Sequence, residues 1–109
     1  MYDIEKDWTD PYVITDPDGR LVAEFKNQPV GLHSAELQRV LLKMRLDQRC
    51  PNYILVCRKP HKEWLIGQMK PPAGTPIEIE QDPIFTSIEE AEWEVFKRWW
   101  KILTGVALD

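Results

Sequence analysis

Cysteine and histidine are scarce in this 109-residue chain, with two of each. A disulfide scaffold needs more than that. No C-x-x-C, H-x-x-x-H or H-E-x-x-H spacing occurs, which removes the usual metal-binding patterns. Gly19, Gly31, Gly67, Gly74 and Gly105 stand singly, so neither a G-x-G-x-x-G turn nor a Walker loop is there to cradle a phosphate. No apolar run approaches the roughly 18 residues that span a bilayer, and no basic-then-apolar leader opens the chain. Basic residues are outnumbered, 14 Lys and Arg against 18 Asp and Glu. That balance argues against phosphate-driven nucleic-acid binding. The expectation is a cytoplasmic globular protein with neither membrane nor nucleic acid as a partner.

What is there begins with apolar residues, 43% of the chain, and five tryptophans, three of them Trp93, Trp99 and Trp100. The length suits one compact domain. Residues 1–10 carry charges with no sustained period and read as an N-terminal arm, which leaves 11–109 as a single domain. Tyr12–Thr15 and Arg20–Phe25 flank Asp16-Pro17-Asp18-Gly19, whose Pro and Gly suit the turn of a β-hairpin. Ser34 then caps a helix over 34–48 with Leu37, Val40, Leu41 and Met44 as its apolar stripe, and Cys50-Pro51 stops it.

Asn52–Arg58 is apolar on both faces and reads as a central strand; Glu63–Met69 returns beside it, with Gly67 marking a bulge or a close backbone approach. Pro76–Glu80 alternates apolar and acidic residues, as a short edge strand does. The last helix, 87–104, has a capping box in one of two registers, Thr86 with Glu89 or Ser87 with Glu90, and a stop at Gly105. It carries two apolar stripes: Ile88, Ala91, Val95, Trp99 and Ile102, and, displaced around the axis, Trp93, Phe96, Trp100 and Leu103. The expected fold is α+β, a small antiparallel sheet of two hairpins plus an edge strand with two amphipathic helices packed on it.

Chemistry is harder to find. Ser34 and Ser87 stand where helix caps belong. Cys57 and His61 straddle a hairpin turn, but no third group orients the pair and the strand points Cys57 inward. Glu78 and Glu80 share a strand face and read as solvated acids. No catalytic, cofactor-binding or metal-binding residue is therefore assigned. The positive signal is an interface: Trp93, Phe96, Trp100 and Leu103 beside Arg98 have the composition of a binding hot spot. The same residues could instead be covered within the domain. A second candidate surface is the acidic stretch 78–94, set against a basic stretch over 39–62.

The order of His33 with Leu37-Gln38-Arg39-Val40, the strand Asn52–Val56, then Trp64–Met69 and Thr75-Pro76-Ile77 carries a resemblance. It continues through Phe85-Thr86 into Glu89-Glu90-Ala91, Val95-Phe96 and Arg98. Residues 33–103 thus resemble the small subunit of N,N-dimethylformamidase, whereas 1–32 show no such correspondence. The resemblance implies a noncatalytic chain bound to a large catalytic subunit, in a hetero-oligomer. It also implies that the large subunit carries iron and hydrolyses small N-alkylated amides, with no cofactor or iron ligand on this chain. Two other readings stay open: a free-standing regulator that docks on another complex through its aromatic helix or acidic face, and a small enzyme using Cys57 or His61.

Overall fold

The computed structural model describes residues 12–70 and 74–108; the N-terminal arm expected over 1–10 lies outside the described residues. In chain order the elements are α1 (Arg20–Asn27), α2 (Ala35–Leu46), β1 (Asn52–Lys59), β2 (Glu63–Met69), β3 (Glu78–Ile79) and α3 (Ile88–Thr104). The strands form one antiparallel sheet in the order β1-β2-β3, so the α+β expectation holds.

The first hairpin does not form. Where Arg20–Phe25 was expected as a strand, the chain is helical. Asp16-Pro17-Asp18-Gly19 does turn, with the Gly19 N–H donating to the Asp16 carbonyl at 3.1 Å. The Asp16 carboxylate then reaches forward to accept the N–H groups of Leu21 (3.0 Å) and Val22 (3.1 Å), and Asp18 accepts that of Arg20 (3.2 Å). These are donors of a first helical turn, which have no partner inside the helix. Two carboxylates that satisfy them convert a hairpin turn into a helix start. Leu21 and Phe25, four apart, then fall on one face and are buried.

Helix α2 follows expectation at its start. The Ser34 hydroxyl accepts the Leu37 N–H at 3.2 Å, and Leu37, Val40 and Met44 are wholly buried. Glu24 of α1 accepts both the N–H (2.6 Å) and the hydroxyl (2.7 Å) of Ser34, tying the two helices together. The helix ends at Leu46, ahead of Cys50-Pro51, because the buried Asp47 carboxylate gathers Lys43 Nζ at 3.3 Å with Arg49 Nε at 2.9 Å and Nη2 at 2.7 Å.

Strand β1 is an edge strand, not the central one its composition suggested; β2 takes the centre. Its pairing with β2 runs in unbroken register from Asn52↔Met69 to Cys57↔Trp64, and the bulge lies between Cys57 and Lys59, away from Gly67. Gly67 is thus a close approach: a Cβ there would sit 3.0 Å from Ile77 Cγ2 and 3.2 Å from Ile54 Cγ1. On the opposite face Tyr53 stacks against Trp99 of α3 at 6.0 Å.

In α3 the Ser87 register wins, its hydroxyl accepting the Glu90 N–H at 3.2 Å, and Gly105 ends the helix with φ 79. The helix contacts β1 and β2 on one side and α2 on the other. Phe96 and Trp100 join Leu21, Phe25, Leu37, Val40 and Met44 in the core cluster. Ala91 and Val95 are buried as well. A helix covered from two sides needs two apolar stripes, which accounts for its composition.

Candidate subunit interface

The nucleophile and base candidates are dispersed. His33 Nε2 lies 2.8 Å from the Gln28 carbonyl, and its ring stacks on Phe25 at 5.6 Å. His61 sits in the β1–β2 turn with φ 59. Cys57 is exposed rather than inward-facing, whereas Cys50 is half-buried. Burial first, then the nearby Asp47 charge, pushes the Cys50 thiol up to about 12. Among the described residues, no group of three or more His, Cys, Asp or Glu is placed to hold a metal ion. The thiolate is the nucleophile in alkylation. Iodoacetamide at pH 8 is therefore expected to label Cys57 in the folded chain and spare Cys50, with both labelled in denaturant. Peptide mass spectrometry reads the difference, and equal native labelling would contradict the placement of Cys50.

The aromatic stripe divides. Phe96 is 2% exposed and Trp100 6%, so these two side chains are taken up in the chain's own packing. Phe96 stacks on Phe25 at 4.2 Å and on Trp100 at 5.6 Å. Trp93 and Leu103 are half-buried at the margin of this cluster. Over the Trp93 ring stand Lys26 Nζ at 5.6 Å and Lys97 Nζ at 5.9 Å, which gives the indole a cationic rim. Arg98 is a clamp: Nη1 and Nη2 donate to Glu80 at 2.8 and 2.9 Å, and Nε to Glu94 at 2.8 Å. Those bonds, Glu80 first, hold the guanidinium above its ordinary pKa, and it lies 5.3 Å from the Tyr53 ring. Arg98 therefore fastens α3 to the end of the sheet.

Part of each charged stretch is neutralised within itself or by a close neighbour. Glu80 and Glu94 meet Arg98, Glu78 meets Lys70, and Arg58 and Lys59 meet Glu63. None of these pairs joins the basic 39–62 stretch to the acids of 78–94.

One cleft escaped sequence reasoning. A cavity of about 320 Å³ between the loop after α1 and helix α3 is lined by Phe25, His33, Arg45, Glu92 and Trp99, among others. Burial pushes the Glu92 carboxyl above its ordinary value, while the charges of Arg45 and His33 pull it back. No periodicity marks it, because its walls come from three separate segments.

No curated protein matches this chain. A family model does, that of the N,N-dimethylformamidase alpha subunit, over residues 3–107. The match extends the resemblance seen over 33–103 through the N-terminal third, where the order of residues alone had shown no correspondence. With almost the whole length accounted for, the chain belongs to the N,N-dimethylformamidase alpha-subunit family.

Proposed function

We propose that this chain is the noncatalytic accessory subunit of a larger multisubunit enzyme, an iron-dependent amidohydrolase of small N-alkylated amides, and that it stabilises the catalytic large subunit. The observation that carries the reading is the family match over residues 3–107, since an alpha subunit is by name one chain of an assembly. The dispersed nucleophile candidates favour the same reading over a small enzyme. In it, residues 11–109 act as one α+β domain in the cytoplasm. Trp93 and Leu103 offer the accessible part of the contact surface beside Arg98, while Phe96 and Trp100 shape it from beneath. A half-buried indole with cations at its rim has the anchor chemistry of a protein interface. The reading assigns the metal to the large subunit and no chemical step to this chain.

The test is hydrolysis of N,N-dimethylformamide, followed by release of dimethylamine. The isolated chain is expected to be inactive. Adding it to the large subunit is expected to lengthen the half-life of activity on warming. Turnover by the isolated chain, abolished by changing Cys57 or His61, would instead establish a small enzyme.

A further inference from the structure

The cavity of about 320 Å³ between the loop after α1 and helix α3 is lined by two opposite charges that do not meet. Arg45 comes from the last turn of α2 and Glu92 from the second turn of α3. Among the described residues neither forms an ion pair or a side-chain hydrogen bond. Glu94, on the same helix, is by contrast bound by both Lys97 and Arg98. Glu92 is half-buried, so it has given up water without gaining a partner in exchange. Burial accordingly pushes its carboxyl up from the ordinary value.

The remaining walls are largely aromatic and held in place. The His33 ring stacks on Phe25 at 5.6 Å and is bound through Nε2 to the Gln28 carbonyl. Trp99 Nε1 donates to the Pro51 carbonyl at 2.8 Å, which orients the indole. Phe96, fixed in the core, closes the floor. A mostly apolar hollow with a few placed polar groups is the ordinary form of a small-molecule site, and such sites hold about 300–1,000 Å³. This one is at the small end. A second cavity, of about 450 Å³ against β1, shares Arg45, Glu92, Val95 and Trp99 with it. The two charges therefore stand where the clefts adjoin.

Charge decides what fits. An apolar ligand would strip water from both groups and replace it for neither. A simple cation would face Arg45, and a simple anion Glu92. A molecule that carries both charges a few bonds apart satisfies each. We propose that this cleft binds a small zwitterion, an α-amino acid with an aromatic side chain. Its carboxylate accepts from the Arg45 guanidinium, a pairing that can be bidentate. Its ammonium donates to the Glu92 carboxylate, and its ring packs against Phe25, Phe96 and Trp99. The site goes beyond the accessory-subunit reading, which gives this chain no ligand. It is also separate from the proposed subunit contact, since Trp93 and Leu103 do not line it.

The test titrates the full chain with L-phenylalanine, read by calorimetry and by the indole N–H resonance of Trp99. Saturable binding is expected, with that resonance shifting in step. Phenethylamine lacks the carboxylate and hydrocinnamate lacks the ammonium, and each is expected to bind about tenfold more weakly or worse. Arg45→Gln is expected to abolish the preference for L-phenylalanine over phenethylamine. Glu92→Gln is expected to abolish the preference over hydrocinnamate. Thermal melts check that both variants fold; should either fail to, the two analogues carry the comparison on the unaltered chain. Absence of saturable L-phenylalanine binding would overturn the proposal, and would mean that Arg45 and Glu92 serve each other or solvent. So would analogues that bind as tightly as L-phenylalanine, or folded variants that keep both preferences.

Discussion

Replacing Asp47 by Ala is expected to destabilise the fold by about 3–5 kcal/mol, the cost of removing one partner from a buried ion pair. The Asp47 side chain is fully buried and that of Lys43 is 5% exposed. Without the carboxylate, Lys43 Nζ loses its 3.3 Å contact, and the backbone and side chain of Arg49 lose their common acceptor. The loop from α2 into β1 loses its tie at the same time. For a domain of this size the melting midpoint falls by roughly 10 °C or more. The effect depends on pH with a definite sign. Arg49's hydrogen bonds hold the Asp47 carboxyl far below its ordinary value of 3.8. A depressed carboxyl stabilises the folded state fully above its unfolded pKa and loses that contribution as pH falls towards the folded one. Thermal melts of the unaltered chain should therefore decline below about pH 4, and those of the Ala variant should decline less steeply. Equal stability of the two proteins at pH 7 would remove Asp47 from the account.

The second large effect is expected at Phe96. Truncation to Ala empties a site where α1, α2 and α3 meet, and a buried Phe→Ala change costs about 3–5 kcal/mol. Phe96 is 2% exposed and stacks on Phe25, Trp93 and Trp100 at 4.2, 5.7 and 5.6 Å. The near-ultraviolet circular dichroism of the tryptophans should weaken with it. Chemical denaturation should show a lower midpoint at an unchanged slope. A variant that keeps its midpoint would mean that Phe96 is not a core residue.

Phe96 also shows where sequence reading stops. The helical spacing of Trp93, Phe96, Trp100 and Leu103 is visible in the chain, but not whether one neighbour or two will cover the helix. The sheet takes one side of α3 and the first two helices the other, and that is a tertiary fact. Elements with a strong local signal were legible for the converse reason. Ser34 and Ser87 cap as their positions require, Gly105 stops α3, and the hairpin of 52–58 with 63–69 pairs in register.

Helix α1 was not legible, because eight residues offer little more than two turns of periodicity and Asp-Pro-Asp-Gly serves a turn of either kind. What decides it is the reach of the Asp16 carboxylate to Leu21 and Val22. The edge position of β1 was hidden for a related reason: composition reports how apolar a strand's surroundings are, not which neighbours supply them. Lys43 and Asp47 stand four apart and look like an ordinary surface pair until α2 ends and the chain folds back over them.

The native mass of the gently purified chain, taken with its natural neighbours present, tests the central claim most directly. The account predicts a stable complex with a much larger chain, and metal analysis of that complex should find iron. A chain recovered only as a monomer, or only paired with itself, would contradict the accessory-subunit reading.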